Sequence, residues 1–234
     1  MRAPHPGVWT FGVAAADPGV LAGFCSTPET RVYCACGMID DSVPWKELLF
    51  RKAAGLRKRR KQKRWTRASF ASVEQDVFLS AYAIRKLLEA HKISDELRST
   101  PVKCTSFPFK GSRKHFVSTG DLPDFYNWHR LEEFYDLESP QNVSVDLREF
   151  CNQIIHSWIF TLSRAEDGGL DGYFFSSDRE RRRRLLYSEI SETAATIGAV
   201  ATDDIVHSEA KRNPATGQWR FTVRSRSPKS KPED

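Results

Sequence analysis

A change of hydrophobic period late in the chain constrains this fold more than any other feature. In the stretches 70–91 and 144–162 the apolar residues recur at three and four, and beyond residue 162 they come mainly in short runs and in strict alternation. The first spacing belongs to a helix with one buried side, the second to half-buried strands. Phe70, Val73, Val77, Phe78, Ala81, Ile84, Leu87 and Leu88, closing at His91, give the clearest helix. Leu147, Cys151, Ile154, Ile155, Trp158 and Leu162 give a second, over about 144–162. Asp146 and Glu149 have the spacing of a capping box at its start, with Ser144 as the alternative cap. Gly168-Gly169 then separates two strand-like runs, and Leu185–Ile190 forms another. Ser191 caps an expected short helix to Ile205. Trp219, Phe221 and Val223 alternate after the turn residues Asn213-Pro-Ala-Thr-Gly217, which reads as a hairpin.

The expected fold is therefore α+β. Helices near 70–91 and 144–162 pack on a small antiparallel sheet built from the C-terminal half, within a single domain over 44–224. Two further helices, Pro44–Phe50 and Asp124–Tyr135, and a short strand near Val102–Phe107 complete it. Residues 1–43 are rich in Pro, Gly and Ala and lack a period, so they read as a poorly structured extension, with Met38 an alternative translation start. Residues 225–234, rich in Ser, Pro and Lys, read as a disordered tail.

No apolar run approaches the roughly 18 residues that cross a bilayer, so no membrane partner is expected. Five unevenly spaced cysteines do not form a disulfide framework, and the expectation is a reducing cytoplasm. Cys34 and Cys36, with Cys25 and His5, lack the matching second pair of a zinc site, so no metal is expected. Nor is any cofactor, since the chain has no phosphate-cradling Gly-rich loop, dinucleotide fingerprint or Gly-x-Ser-x-Gly elbow.

Charge is concentrated. The chain has a net charge of +6, yet ten basic residues and no acid lie between Arg51 and Arg67. Without that basic arm the body of the protein is net acidic. Arg57, Lys58, Arg59, Arg60, Lys61, Lys63 and Arg64 are the expected contacts to RNA or DNA phosphates, with Trp65 a surface on which a base could stack. The alternative is a solvated helix face or link that binds nothing specific. A second cluster, Asp178–Arg184, sets five arginines against two acids and reads as an exposed polar turn, with a hairpin tip that touches phosphate as the alternative.

Arg148, Asn152 and His156 stand four apart, in one row beside the apolar stripe of their helix. A histidine titrates near neutral pH and an arginine can hold a phosphate, a combination suited to metal-independent cleavage of an RNA phosphodiester. The commoner role for such a row is a satisfied hydrogen-bond network that fixes helix against sheet. An arginine, a polar residue and a downstream histidine on one helix resemble the signature of the HEPN ribonucleases and toxins. Here Glu149 is the polar residue and seven residues separate Arg148 from His156. That resemblance implies an endoribonuclease acting in defence or toxin–antitoxin systems, with the site paired across a homodimer. The leading expectation is a nucleic-acid-associated or protein-interacting protein, and the ribonuclease is its alternative.

Overall fold

The computed structural model describes residues 39–111 and 123–226. The expectations for the alternative start at Met38, for the group of His5, Cys25, Cys34 and Cys36, and for the tail beyond Arg226 lie outside the described residues.

Helix α1 runs Val43–Arg59, with Pro44 in its first turn, where a missing N–H costs nothing. It is longer than the expected Pro44–Phe50. The first half of the basic arm is helical, because Ala53 and Leu56 continue the buried stripe begun by Leu49. Helix α2, Arg67–Glu89, buries Val73, Val77, Ala81, Ile84, Leu87 and Leu88, the stripe read from the sequence. Thr66 caps it by accepting from the Ser69 N–H at 3.2 Å, while Ser69 Oγ accepts from the Thr66 N–H. Beyond it, His91 takes a left-handed backbone (φ 55°) and stacks on Phe221 with ring centroids 3.8 Å apart.

After the short helix α3, Asp95–Ser99, come strand β1, Val102–Pro108, helix α4, Leu131–Phe134, and strand β2, Gln141–Val145. The expected helix over Asp124–Tyr135 is only this last turn, preceded by turns. Asp124 Oδ1 accepts from the N–H groups of Tyr126 and Asn127, a local arrangement that competes with helix. Helix α5 spans Leu147–Ile155 and strand β3 Ser157–Arg164. The remaining elements are β4 (Leu170–Ser177), β5 (Arg184–Glu189), helix α6 (Ile190–Ala201), β6 (Ile205–Arg212) and β7 (Trp219–Ser225). Helix α6 starts one residue before Ser191, whose hydroxyl donates to Glu189 instead of capping.

The expected 144–162 helix is thus corrected at both ends. Ser144 lies in β2. Asp146 is the cap, accepting from the Glu149 N–H at 2.9 Å, worth about 1 kcal/mol. At the far end the helix stops at Ile155, because Trp158-Ile-Phe-Thr161 is aromatic and β-branched and Ile159–Thr161 pair with β4, past a bulge at Trp158. Trp158, expected in the core, is 44% exposed.

Five strands form an antiparallel sheet in the order β2-β1-β5-β4-β3. The α+β class holds, with the one difference that β1, Val102–Pro108, comes from before the C-terminal half and pairs between β2 and β5. Helices α1, α2, α5 and α6 cover one face, closing a core around Tyr173, Phe175, Leu186, Val102 and Val145. Ile39, within the stretch read as an extension, is buried in that core. A smaller cluster on the other face joins Phe107, Ile159 and Leu185 to Leu131, Phe134 and Tyr135. The β6–β7 hairpin forms as expected. It docks through the Val223 N–H, which donates to Asp95 at 3.0 Å. No helix among the described residues is long and apolar enough to cross a membrane.

Candidate nucleic-acid interface

The basic arm is not a free tether. Arg57, Lys58 and Arg59 occupy the last turn of α1, where cations face the negative end of the helix dipole. Arg57 also donates to the Ala194 carbonyl of α6 at 3.2 Å. Arg59 donates to Ser72 of α2 at 3.2 Å and to Gln62. Beyond the helix, the chain crosses the β3–β4 turn. Lys63 reaches across to Asp167, 2.6 Å from both its carboxylate and its carbonyl oxygen. Trp65 Nε1 donates to the carbonyls of Gln62 and Gly168 at 3.0 and 2.9 Å, and its ring stacks on Phe70 at 5.0 Å. The turn fits closely. Gly168 has φ 87°, and a methyl on Gly169 would overlap the carbonyl oxygen of Arg60.

This anchoring sorts the expected contacts. Trp65 is half-buried and fastens the arm to the sheet, with its indole N–H already taken. Lys58, Arg60, Lys61 and Arg64 are exposed. Among the described residues, the side chains of Lys58, Lys61 and Arg64 make no hydrogen bond or ion pair, although the Lys58 and Arg64 carbonyls accept from the Lys61 N–H and from Gln62. The structure therefore presents them on a fixed backbone, with their charge available to solvent.

The row Arg148, Asn152 and His156 does not gather into one site. Asn152 Oδ1 accepts from Arg85 Nε of α2 at 2.9 Å. Arg85 Nη1 in turn lies 2.7 Å from Glu89, as an ion pair outside hydrogen-bond geometry. Arg148 is exposed in the first turn of α5, where its charge helps hold the Glu89 carboxyl below the usual range, after the larger effects of the Lys86 hydrogen bond and Arg85. His156 caps the other end of α5. Eight residues of helical rise put the Arg148 and His156 backbones about 12 Å apart. The side chain that ties α5 to the sheet is one the sequence did not single out. Gln153 is buried, accepts from the Ser177 N–H at 3.1 Å and donates to Glu149 at 2.6 Å. Its place on the helix between Phe150 and Ile154 was the available signal.

His156 has a different neighbour. Its carbonyl accepts from the Asp178 N–H at 3.3 Å, which brings it to the arginine-rich β4–β5 turn. There Arg181 pairs with Asp178 at 3.0 Å, and Arg184 and Arg183 with Glu180 at 3.0 and 3.5 Å. Arg179 and Arg182 are exposed and make no ion pair among the described residues.

Nucleophilic chemistry at the two cysteines among the described residues is not favoured by this geometry. Cys104 and Cys151 are buried, and burial pushes both thiols up to about 12. The described residues also line open concavities. One, about 590 Å³, lies between α1 and the α6–β6 corner, where Lys46 donates to the Asp203 carbonyl; burial lowers its ammonium pKa, with the charges of Asp203 and Asp204 opposing. Another, about 530 Å³, lies on the β2–β1–β5 face beside Lys103, Asn142 and Glu189. No cluster of three or more His, Cys, Asp or Glu among the described residues is placed to hold a metal. Set against family models, curated proteins and solved structures, the chain matches none.

Proposed function

We propose that the protein binds nucleic acid through the exposed cations at the C-terminal end of α1 and the segment that follows. One observation carries this reading: Lys58, Lys61 and Arg64 are exposed without partners, on a backbone fastened to the β3–β4 turn. Helix-dipole compensation accounts for a cation at Lys58, but Lys61 and Arg64 lie past the helix and their charged groups bond to nothing among the described residues. Unpaired cations on a rigid support favour a polyanion, because binding releases the counterions of the phosphates without first breaking internal ion pairs.

The test is fluorescence anisotropy with RNA and DNA over a salt series, comparing wild type with a Lys58→Glu/Lys61→Glu/Arg64→Glu variant. Wild type should show affinity that falls steeply with salt. The variant should bind more weakly, and its log–log salt slope should be shallower by about 2–3, as expected for three lost phosphate contacts. An unchanged slope would sink the reading. Recovering the RNA intact after incubation in EDTA, beside His156→Ala, shows at the same time whether binding leads to cleavage.

A further inference from the structure

We infer that the β4–β5 turn and Trp158 form a second contact, specific to single-stranded nucleic acid. Trp158 projects from the head of edge strand β3 and is 44% exposed. The Arg181 guanidinium lies 4.3 Å from its ring centroid, a cation–π stack. Arg181 is held there by Asp178 at 3.0 Å and by the Pro123 carbonyl, while its own carbonyl accepts from the Tyr135 hydroxyl at 2.7 Å. The stack is preorganised, so a ligand does not have to order it. Around it stand Arg179 and Arg182, exposed and without ion pairs among the described residues. Phe125 and Tyr126, 76% and 84% exposed, lie on the segment whose Pro123 carbonyl binds Arg181.

Free guanidiniums and open aromatic rings together select the ligand. The arginines suit phosphate, and the rings suit an unstacked base face, which a duplex keeps inside its own stack. A plain phosphate site would have no use for exposed aromatics, and a plain apolar docking patch would not be ringed with arginine. The contact is separate from the basic arm. The arm sits at the β3–β4 end of strand β4 and the arginine turn at the other, and eight residues of strand span about 26 Å. The ligand class rests on the nucleic-acid reading proposed above, whereas the location does not.

The experiment compares affinities for an oligouridylate of about 16 nucleotides, the upper end of a compact single-strand site, and for a blunt RNA duplex of the same length. The proteins are wild type, Trp158→Ala, Trp158→Phe, Arg179→Glu/Arg182→Glu and the basic-arm triple variant, each checked for an unaltered thermal midpoint. Trp158→Ala should lose about tenfold on the single strand and little on the duplex, with Trp158→Phe recovering most of the loss. Arg179→Glu/Arg182→Glu, which leaves the ring in place, should also weaken single-strand binding. If both turn variants match wild type on the oligouridylate while the triple variant fails, the inference is overturned and the basic-arm reading stands. Loss in the turn variants alone overturns the basic-arm reading and upholds this one. Equal loss of both ligands in Arg179→Glu/Arg182→Glu, with Trp158→Ala unaffected, marks a plain phosphate contact and overturns the single-strand assignment.

Discussion

The basic arm and the arginine turn sit at opposite ends of β4 and hold positive charge in opposite ways. The arm contains no acid, so it depends on distant partners: Asp167 for Lys63, and the Ala194 carbonyl for Arg57. The turn supplies its own, Asp178 and Glu180, each within four residues of the arginine it pairs. In both places part of the charge is spent on structure and part is left free: Lys58, Lys61 and Arg64 in one, Arg179 and Arg182 in the other. Formal charge in the sequence therefore overstates the charge available to a ligand. Which cation is free depends on geometry.

Substitutions at the anchors, away from the free cations, bear directly on that contrast. Trp65→Ala should have the largest effect. It removes two hydrogen bonds and a stacked ring, and should lower the free energy of unfolding in urea by about 3 kcal/mol. A loss below about 1 kcal/mol would mean that the arm is not fastened there. Gly169→Ala changes no charge but forces the arm away from the β3–β4 turn; about 2 kcal/mol should be lost, together with part of the RNA affinity. Retained affinity in a destabilised Gly169→Ala protein would show that the arm's position does not matter for binding.

Arg181→Met keeps the aliphatic stem and removes the cation–π contact and the Asp178 pair, for a loss of about 1 kcal/mol. The smallest effect belongs to the Lys63–Asp167 pair. The Lys63 hydrogen bond first, and the Gly169 N–H second, hold the Asp167 carboxyl below its usual range. A carboxyl lowered in the folded state stabilises above its unfolded pKa, and that stability is lost as pH falls through the folded one. Because Asp167 is fully exposed, Asp167→Asn should melt within about 2 °C of wild type at pH 7. Any difference should vanish well below about pH 4. A large gap would show that the pair, and not Trp65, is the main fastening.

Much of the candidate interface was legible, but not its working parts. The acid-free run of cations announces itself in the sequence, and it is exposed. Trp65, expected to face a base, faces the protein, because its indole N–H finds two carbonyls, one of them 103 residues away. Trp158, expected in the core, is the exposed ring. Both errors follow from treating tryptophan by its type, when an amphipathic ring is placed by whichever neighbour satisfies its N–H or covers its face. The polar row of α5 divides for a related reason. Asn152 pairs with Arg85 of α2, and the helix ends at His156, so residues aligned by spacing do not share surroundings.

The sequence by itself determined the stripe of α2 and the hairpin turn at Asn213–Gly217, where the Asn213 side chain accepts from the next N–H groups and Gly217 takes φ 70°. These are properties of a few neighbouring residues, and neighbouring residues are sufficient to fix them. Tertiary structure decided that Ser157–Arg164 is a strand, since a strand exists only when another pairs with it, and β4 supplies that pairing. It also decided which arginines and lysines stay free, because an ion pair or a hydrogen bond to a carbonyl depends on what the fold brings within about 3 Å.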